Sequence, residues 1–250
     1  MISATPSRPK AGRTGGRGAG RFYSVFSETD GRFRDRVRRH AVRKRVLEIG
    51  CGTSSMAFEL SPVATSVLGI DISPVAVGRL RRRALEEGSE NVRFGVMDAE
   101  CLDVEDGSVD LLFATGVLHH LDIARAGAEL ARVLSPGGSA HFLEPTGHNP
   151  LINAYRDRTP WMRTPDEHPL VRDDFTLLGR WFETVDTEFQ HLSAIASVPL
   201  RSWRSHRRIV RALNRVDAAV FAAVLPVRHH AWFVDLQLAG PRREALPDRG

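Results

Sequence analysis

Val46-Leu47-Glu48-Ile49-Gly50-Cys51-Gly52-Thr53-Ser54 is the stretch that decides the fold of this 250-residue chain. The apolar run reads as a buried strand. Gly50 and Gly52 lack a Cβ, so the backbone after the strand can turn tightly and lie against a ligand. Glu48 sits near the strand's end, and a second acid, Asp71, follows about twenty residues on, the spacing of a nucleoside-binding fingerprint. In open parallel α/β sheets that arrangement binds a nucleoside at the carboxyl end of the first strand.

Working outward, strand and helix signals alternate. Phe22, Phe26, Phe33 and Val37 recur at helical spacing, which predicts one or two amphipathic helices over Phe22 to His40. Arg43 to Ile49 is the first strand and Thr53 to Leu60 a short helix. Ser66 to Ile72 is the second strand, and Ser73-Pro74 opens a helix that Gly88 ends. Val92 to Met97 and Val109 to Thr115 are strands three and four. Asp122 caps a helix that Pro136-Gly137-Gly138 stops, and Ser139 to Leu143 is strand five. Glu183 to Ile195 and Trp232 to Leu238 read as later strands, with a helix over Ser202 to Val224 between them. Such alternation predicts an α/β fold with a doubly wound, mostly parallel sheet.

The net charge of +5 is unevenly placed. Residues 1–45 hold 13 Lys+Arg against 3 Asp+Glu, which leaves the rest of the chain at −5. The first twenty residues are mostly Gly, Arg, Ser, Thr, Pro and Ala and bury too little apolar area to order, so residues 1–20 read as a disordered basic arm. Two cysteines, Cys51 and Cys101, make neither a disulfide framework nor a metal-ligand spacing. With no signal-peptide pattern, the expectation is a cytoplasmic protein. The longest apolar run, Ala218 to Leu225, is far short of the ~20 residues that span a bilayer.

Five blocks in order carry a resemblance to a known family. They are Val46 to Ser54; Gly69-Ile70-Asp71-Ile72-Ser73; Asp98-Ala99-Glu100 through Gly107-Ser108-Val109-Asp110; Leu118-His119-His120-Leu121; and Leu130 through Gly138. Together they resemble the class I S-adenosylmethionine-dependent methyltransferases. Within these they are similar to the small-molecule branch called methyltransferase domain 11, to which ubiquinone and menaquinone methyltransferases are related. The resemblance implies a Rossmann-like sheet of seven strands with an antiparallel last strand and a helical insert near the C-terminus. It divides the chain into a methyltransferase domain over 21–240 and a tail over 241–250. Within the domain, 45–145 is the cofactor half and 146–230 the substrate lid and helical insert. It also implies a bacterial enzyme that methylates O, N or C of a small metabolite without a metal, with S-adenosyl-L-homocysteine as the other product.

Roles follow from the resemblance. Glu48 favours the cationic methionine amino group. Gly50, Cys51, Gly52 and Ser54 form the loop against the cofactor, Ser54 standing where the family has a third glycine. Asp71 accepts from both ribose hydroxyls. Ile72 and Met97 sandwich the adenine, Asp98 accepts from its amine, and Ala99 offers a backbone N–H. Thr115, Gly116 and His119 border the cofactor after the fourth strand. The candidate catalytic groups are His120, Glu144 and His148, histidine being suited to proton removal near neutral pH.

Residues 144–169 are turn-rich and predict a lid or substrate wall, with Tyr155, Arg156, Trp161 and Met162 facing the acceptor. The arginines from Arg201 to Arg215 share a helix with apolar residues; a solvated face, a homodimer contact and a membrane-surface face all fit. The expected partner is a small-molecule acceptor rather than nucleic acid. Two other functions stay open: an RNA or protein methyltransferase guided by the basic arm, and a fold-alike that holds the cofactor without transferring methyl.

Overall fold

The five residues of β1 (Arg45–Ile49) lie at the centre of a seven-stranded sheet because they are apolar on both faces. The computed structural model describes residues 25–162 and 167–242. The basic arm at 1–20, Phe22, residues 163–166 of the expected lid and most of the tail lie outside the described residues.

Around β1 stand β2 (Ser66–Asp71), β3 (Val92–Val96), β4 (Val109–Thr115) and β5 (Leu134–Pro145), all parallel to it or to each other. β7 (Phe233–Pro241) adds antiparallel to β5, and β6 (Phe182–Gln190) antiparallel to β7. The order is β3-β2-β1-β4-β5-β7-β6. The chain reverses direction outward from β1, so a crevice opens at the carboxyl ends of β1 and β4.

Side chains alternate across the sheet and feed two cores. Leu47, Leu112 and Phe142 pack on one face with α4 (Ile123–Val133) and α6 (Arg172–Leu178). Val46, Leu111, Phe113 and Leu143 pack on the other with α1 (Ser27–His40), α2 (Ala57–Leu60) and α3 (Pro74–Glu86). Leu47 and Phe142 are essentially fully buried, and each contributes about 1.5–3 kcal/mol of apolar transfer. α5 (Pro150–Asp157) and α7 (His206–Ala223) form a third, smaller cluster through Ile152 and Val210.

Three elements differ from the sequence expectation, each for a local reason. α2 is one turn long and starts at Ala57 rather than Thr53. The buried Glu48 carboxylate accepts from Ser55 Oγ and the Met56 N–H, so the chain between Gly52 and Ser55 serves Glu48 before a helix can begin. α4 ends at Val133, three residues before Pro136; Leu134 is already extended and pairs with Val109, and Pro136-Gly137-Gly138 form an irregularity inside β5. The turn-rich stretch after β5 contains a helix, α5, because Pro150 occupies its first turn and Asn149 accepts from the N–H groups of Leu151 and Ile152.

His141 and His191 are buried imidazoles. His141 approaches His40 at 3.1 Å and leaves its own Nδ1 without a partner; burial, then His40 and Arg36, holds its pKa down at about 4. His191 lies between Thr29 and Asn214, and burial lowers it to about 4. An unfolded histidine titrates near 6.5. At these two positions the native state therefore binds fewer protons than the unfolded one between those values, and their contribution to stability falls as pH drops from 6.5 towards 4, against an opposite contribution from Asp235, which burial raises to about 6. In urea titrations at pH 7 and pH 5, His141→Gln is expected to shift the difference in stability between the two in favour of pH 5; an unchanged difference would show that His141 does not titrate there.

Candidate functional site

At the carboxyl ends of β1, β2 and β4 the strands leave a cleft of about 380 Å³. Its floor is Ile49, Gly50 and Ile70. Asp71, Ile72, Met97 and Ala99 form one wall, and Thr115, Gly116, Val117, His120 and Leu121 the other. Of the residues singled out in the sequence, the structure brings eight onto these walls: Gly50, Asp71, Ile72, Met97, Ala99, Thr115, Gly116 and His120.

The glycine turn is shaped for close approach. Gly50 has φ +68° and Gly52 φ +53°, left-handed values that penalise a side chain. A Cβ on Gly50 would also collide with the Val117 side chain, so the turn can meet the opposite wall only with glycine there. Asp71 ties the turn to β2: Oδ2 accepts from the Gly52 N–H at 2.8 Å and Oδ1 from the Ser73 N–H at 2.8 Å. Each oxygen keeps a lone pair, so the half-buried carboxylate retains acceptor capacity towards the cleft. Ile72 is 75% exposed at the rim, an apolar surface a ligand ring would cover.

Several expected site residues stand elsewhere. Glu48 is buried beneath the turn, its oxygens taken by Ser55 and Met56; burial pushes its pKa up, and the Ser55 bond opposes this. Cys51 turns its thiol into the core, where burial and then Glu48 raise it to about 12. Ser54 is exposed beside the turn, and its neighbour Ser55 carries the bond to the acid. Gly52 holds Asp71 without lining the walls. Asp98 is exposed; its Oδ1 accepts from the Glu100 N–H in a tight turn, which sets Ala99 on the wall.

The three expected catalytic groups stand in different surroundings. Glu144 is wholly buried. Its Oε1 accepts from the Val117 and Leu118 N–H groups, both at 2.9 Å, and its Oε2 meets His119 Nδ1 at 2.7 Å. Both its oxygens are engaged within the chain, and through them it holds the turn Leu118–His120. His119 is buried beneath that turn instead of bordering the cleft. His120, stacked on it with ring centroids 4.1 Å apart, lines the wall. His148 lies at the start of α6, where its Nε2 accepts from the Arg172 N–H at 3.1 Å, and it does not line the cleft. Arg156 is buried and donates to Thr146 O and Asn153 Oδ1, a structural tie in place of the expected lid role.

Sequence reasoning missed Val117, Leu121 and Ser55. The first two flank the Leu118-His119-His120 turn as apolar residues, a signal that was legible. Ser55 had none beyond adjacency to Ser54.

Comparison with known proteins agrees with the crevice geometry. A methyltransferase-domain family model matches residues 46–138. The chain is 33% identical over 175 residues to a ubiquinone biosynthesis O-methyltransferase of Nitrosococcus oceani, covering 66% of this chain and 72% of that one. It is 38% identical over 104 residues to a demethylmenaquinone methyltransferase of Thermus thermophilus, covering 40% and 47%, so it spans about half the length of that relative. The crystal structure of a [4+2]-cyclase, SpnF, shares the fold with TM-score 0.58 and 22% identity, over 86% of this chain and 82% of that one.

Glu144→Ala would leave two backbone N–H groups and an imidazole without their buried acceptor. It is expected to cost about 2–3 kcal/mol in urea unfolding, the scale of such unsatisfied groups. Glu144→Gln keeps one carbonyl for the two N–H groups and is expected to cost less; equal losses would show that the carboxylate does not hold the turn.

Proposed function

We propose that this chain, which belongs to the class I S-adenosylmethionine-dependent methyltransferases, transfers the cofactor's methyl group to a small-molecule metabolite. The observation that carries this is the cleft itself. A carboxylate with spare acceptor capacity, Asp71, stands on one wall and a histidine, His120, on the other, with the glycine turn between them.

The cleft's residues fit the cofactor. Asp71 would accept from the ribose hydroxyls, and a carboxylate there disfavours a 2′-phosphate. Ile72 and Met97 would hold the adenine between them, with Ala99 behind it. The absence of a Cβ on Gly50 gives the methionine portion its room. Glu48 would act by holding the loop, since its carboxylate is occupied. When bound, the cofactor supplies an activated methyl group on a sulfonium, and its departure needs no proton.

The protein's remaining tasks are to align the acceptor, exclude water and take the acceptor's proton. His120 is our candidate for the proton. It lines the cleft, and its position is set from below by the chain His119–Glu144. Residues 45–145 form the cofactor half in this proposal, and the segment over 146–230 walls the acceptor. Two contacts support the second assignment: the His168 N–H donates to His119 O at 2.8 Å, and the Leu170 N–H to Pro145 O at 3.0 Å. They seat the later loop on the turn that carries His120. The names of the relatives, a demethylmenaquinone methyltransferase and a ubiquinone biosynthesis O-methyltransferase, support a small-molecule acceptor.

Asp71→Ala is expected to weaken S-adenosylmethionine binding by about 1–3 kcal/mol in calorimetry, the range for lost charge-assisted hydrogen bonds; unchanged affinity would remove the ribose assignment. His120→Ala is expected to lower turnover about 10²–10⁴-fold, the usual contribution of a general base, with cofactor affinity intact. Incubation with methyl-labelled S-adenosylmethionine and a metabolite extract is expected to yield one labelled small molecule. Tight cofactor binding with no transfer to any extract would favour a non-methylating use of the fold.

A further inference from the structure

α7 is the longest helix among the described residues, none of its side chains lines the cleft, and its surface is two-sided. Of its eighteen residues only His206, Val210 and Asp217 are buried. At about 100° per residue these three fall within one narrow stripe that seats the helix on the body. His206 meets Ser197, and Asp217 accepts from Ser193 and from the Leu192 N–H, so the seat is fully engaged.

The rest of the helix divides by the same spacing. Ile209, Ala212, Leu213, Val216, Ala219 and Ala223 form one continuous stripe alongside the seat. None of the six is buried, and Val216 is 55% exposed. Arg208 and Arg215, both exposed, form the flank next to that stripe. Arg207 and Arg211 lie further round, and Arg211 is paired with Glu28. Large exposed apolar side chains also stand just outside the helix: Trp203 before it, 58% exposed, and Leu225 after it, 59% exposed.

The charge is one-signed. From Ile195 to Ala231 the chain has seven arginines and a single acid, Asp217, which is buried and capped. No exposed carboxylate in this segment offsets the arginines.

We propose that this face docks peripherally on an anionic lipid surface, with α7 lying flat in the headgroup region. The apolar stripe would sit at the acyl boundary, while Arg208 and Arg215 meet lipid phosphates and Trp203 takes the interfacial depth such rings prefer. The helix is about 27 Å long at 1.5 Å per residue, far more of it amphipathic than a spanning segment allows. Among the described residues no helix is long and apolar enough to cross a membrane, so contact would be parallel to the surface. Charge complementarity favours this occupant over a second copy of the chain. In an antiparallel pairing through the stripe, both arginine flanks would fall on the same side and repel. The proposal uses no residue that lines the cleft, so its test can fail while the methyl-transfer reading stands.

The test is co-sedimentation of the full chain with vesicles of phosphatidylcholine alone or mixed with phosphatidylglycerol, at low and high salt. Binding is expected with the mixed vesicles only, weakening with salt. Arg208→Gln and Arg215→Gln are each expected to lower the partition coefficient about fivefold, the equivalent of ~1 kcal/mol per basic residue at such a surface. Val216→Asp is expected to abolish binding, with circular dichroism and cofactor affinity unchanged. Two outcomes would overturn the proposal. One is wild-type protein that stays in solution with anionic vesicles, or Val216→Asp protein that binds them as well as wild type. The other is a wild-type dimer that Val216→Asp converts to monomer without any vesicle binding, which would give the face to a second copy.

Discussion

One carboxylate, Glu144, sealed from solvent at the end of β5, sets where the cleft's second wall stands. It accepts from two consecutive backbone N–H groups and from one imidazole. A buried carboxylate short of partners is costly, so the three donors are held to it as firmly as it is to them. The turn Leu118–His120 is thereby fixed over the end of β4, with His119 consumed below and His120 left on the wall. The loop from His168 to Leu170 rests on the same place, through His119 O and Pro145 O. The second wall and the later loop therefore share one anchor in the last parallel strand.

Much of the architecture was legible because it obeys simple periodicities. β1, β2 and β4 are apolar on both faces and short, with a glycine or polar turn after each, and these signals are local to a few residues. Ser73 and Asp122 capped helices where their side chains predicted it. The crevice residues Asp71 and Met97 were legible because they stand at the ends of strands whose order follows from the right-handed crossover rule. The true length of α2 was not legible, because it depends on a bond between Glu48 and Ser55 that closes only when the turn has folded. The fate of His148 was not legible either, because its partner, Arg172, is far along the chain and reaches it through a backbone N–H.

The acids at strand ends show why sequence pattern identifies a site better than it assigns roles. Glu48, Asp71 and Glu144 occupy equivalent places at the ends of β1, β2 and β5, and in the chain each looks like a group aimed at a ligand. Depth separates them. Glu48 and Glu144 are 6% and 0% exposed, and their neighbours supply N–H and O–H donors in number. Asp71 is half-buried, spends one bond per oxygen on the backbone and keeps the rest. A carboxylate withdrawn from water must be surrounded by donors, and those donors are then unavailable to a substrate. The deep acids thus serve the backbone and the shallow one is left for chemistry. For Glu48, burial raises the pKa, and the Ser55 and Met56 bonds oppose that rise. Ser55 and Met56 thus join Glu48 to the turn that carries Gly50, below the floor of the cleft.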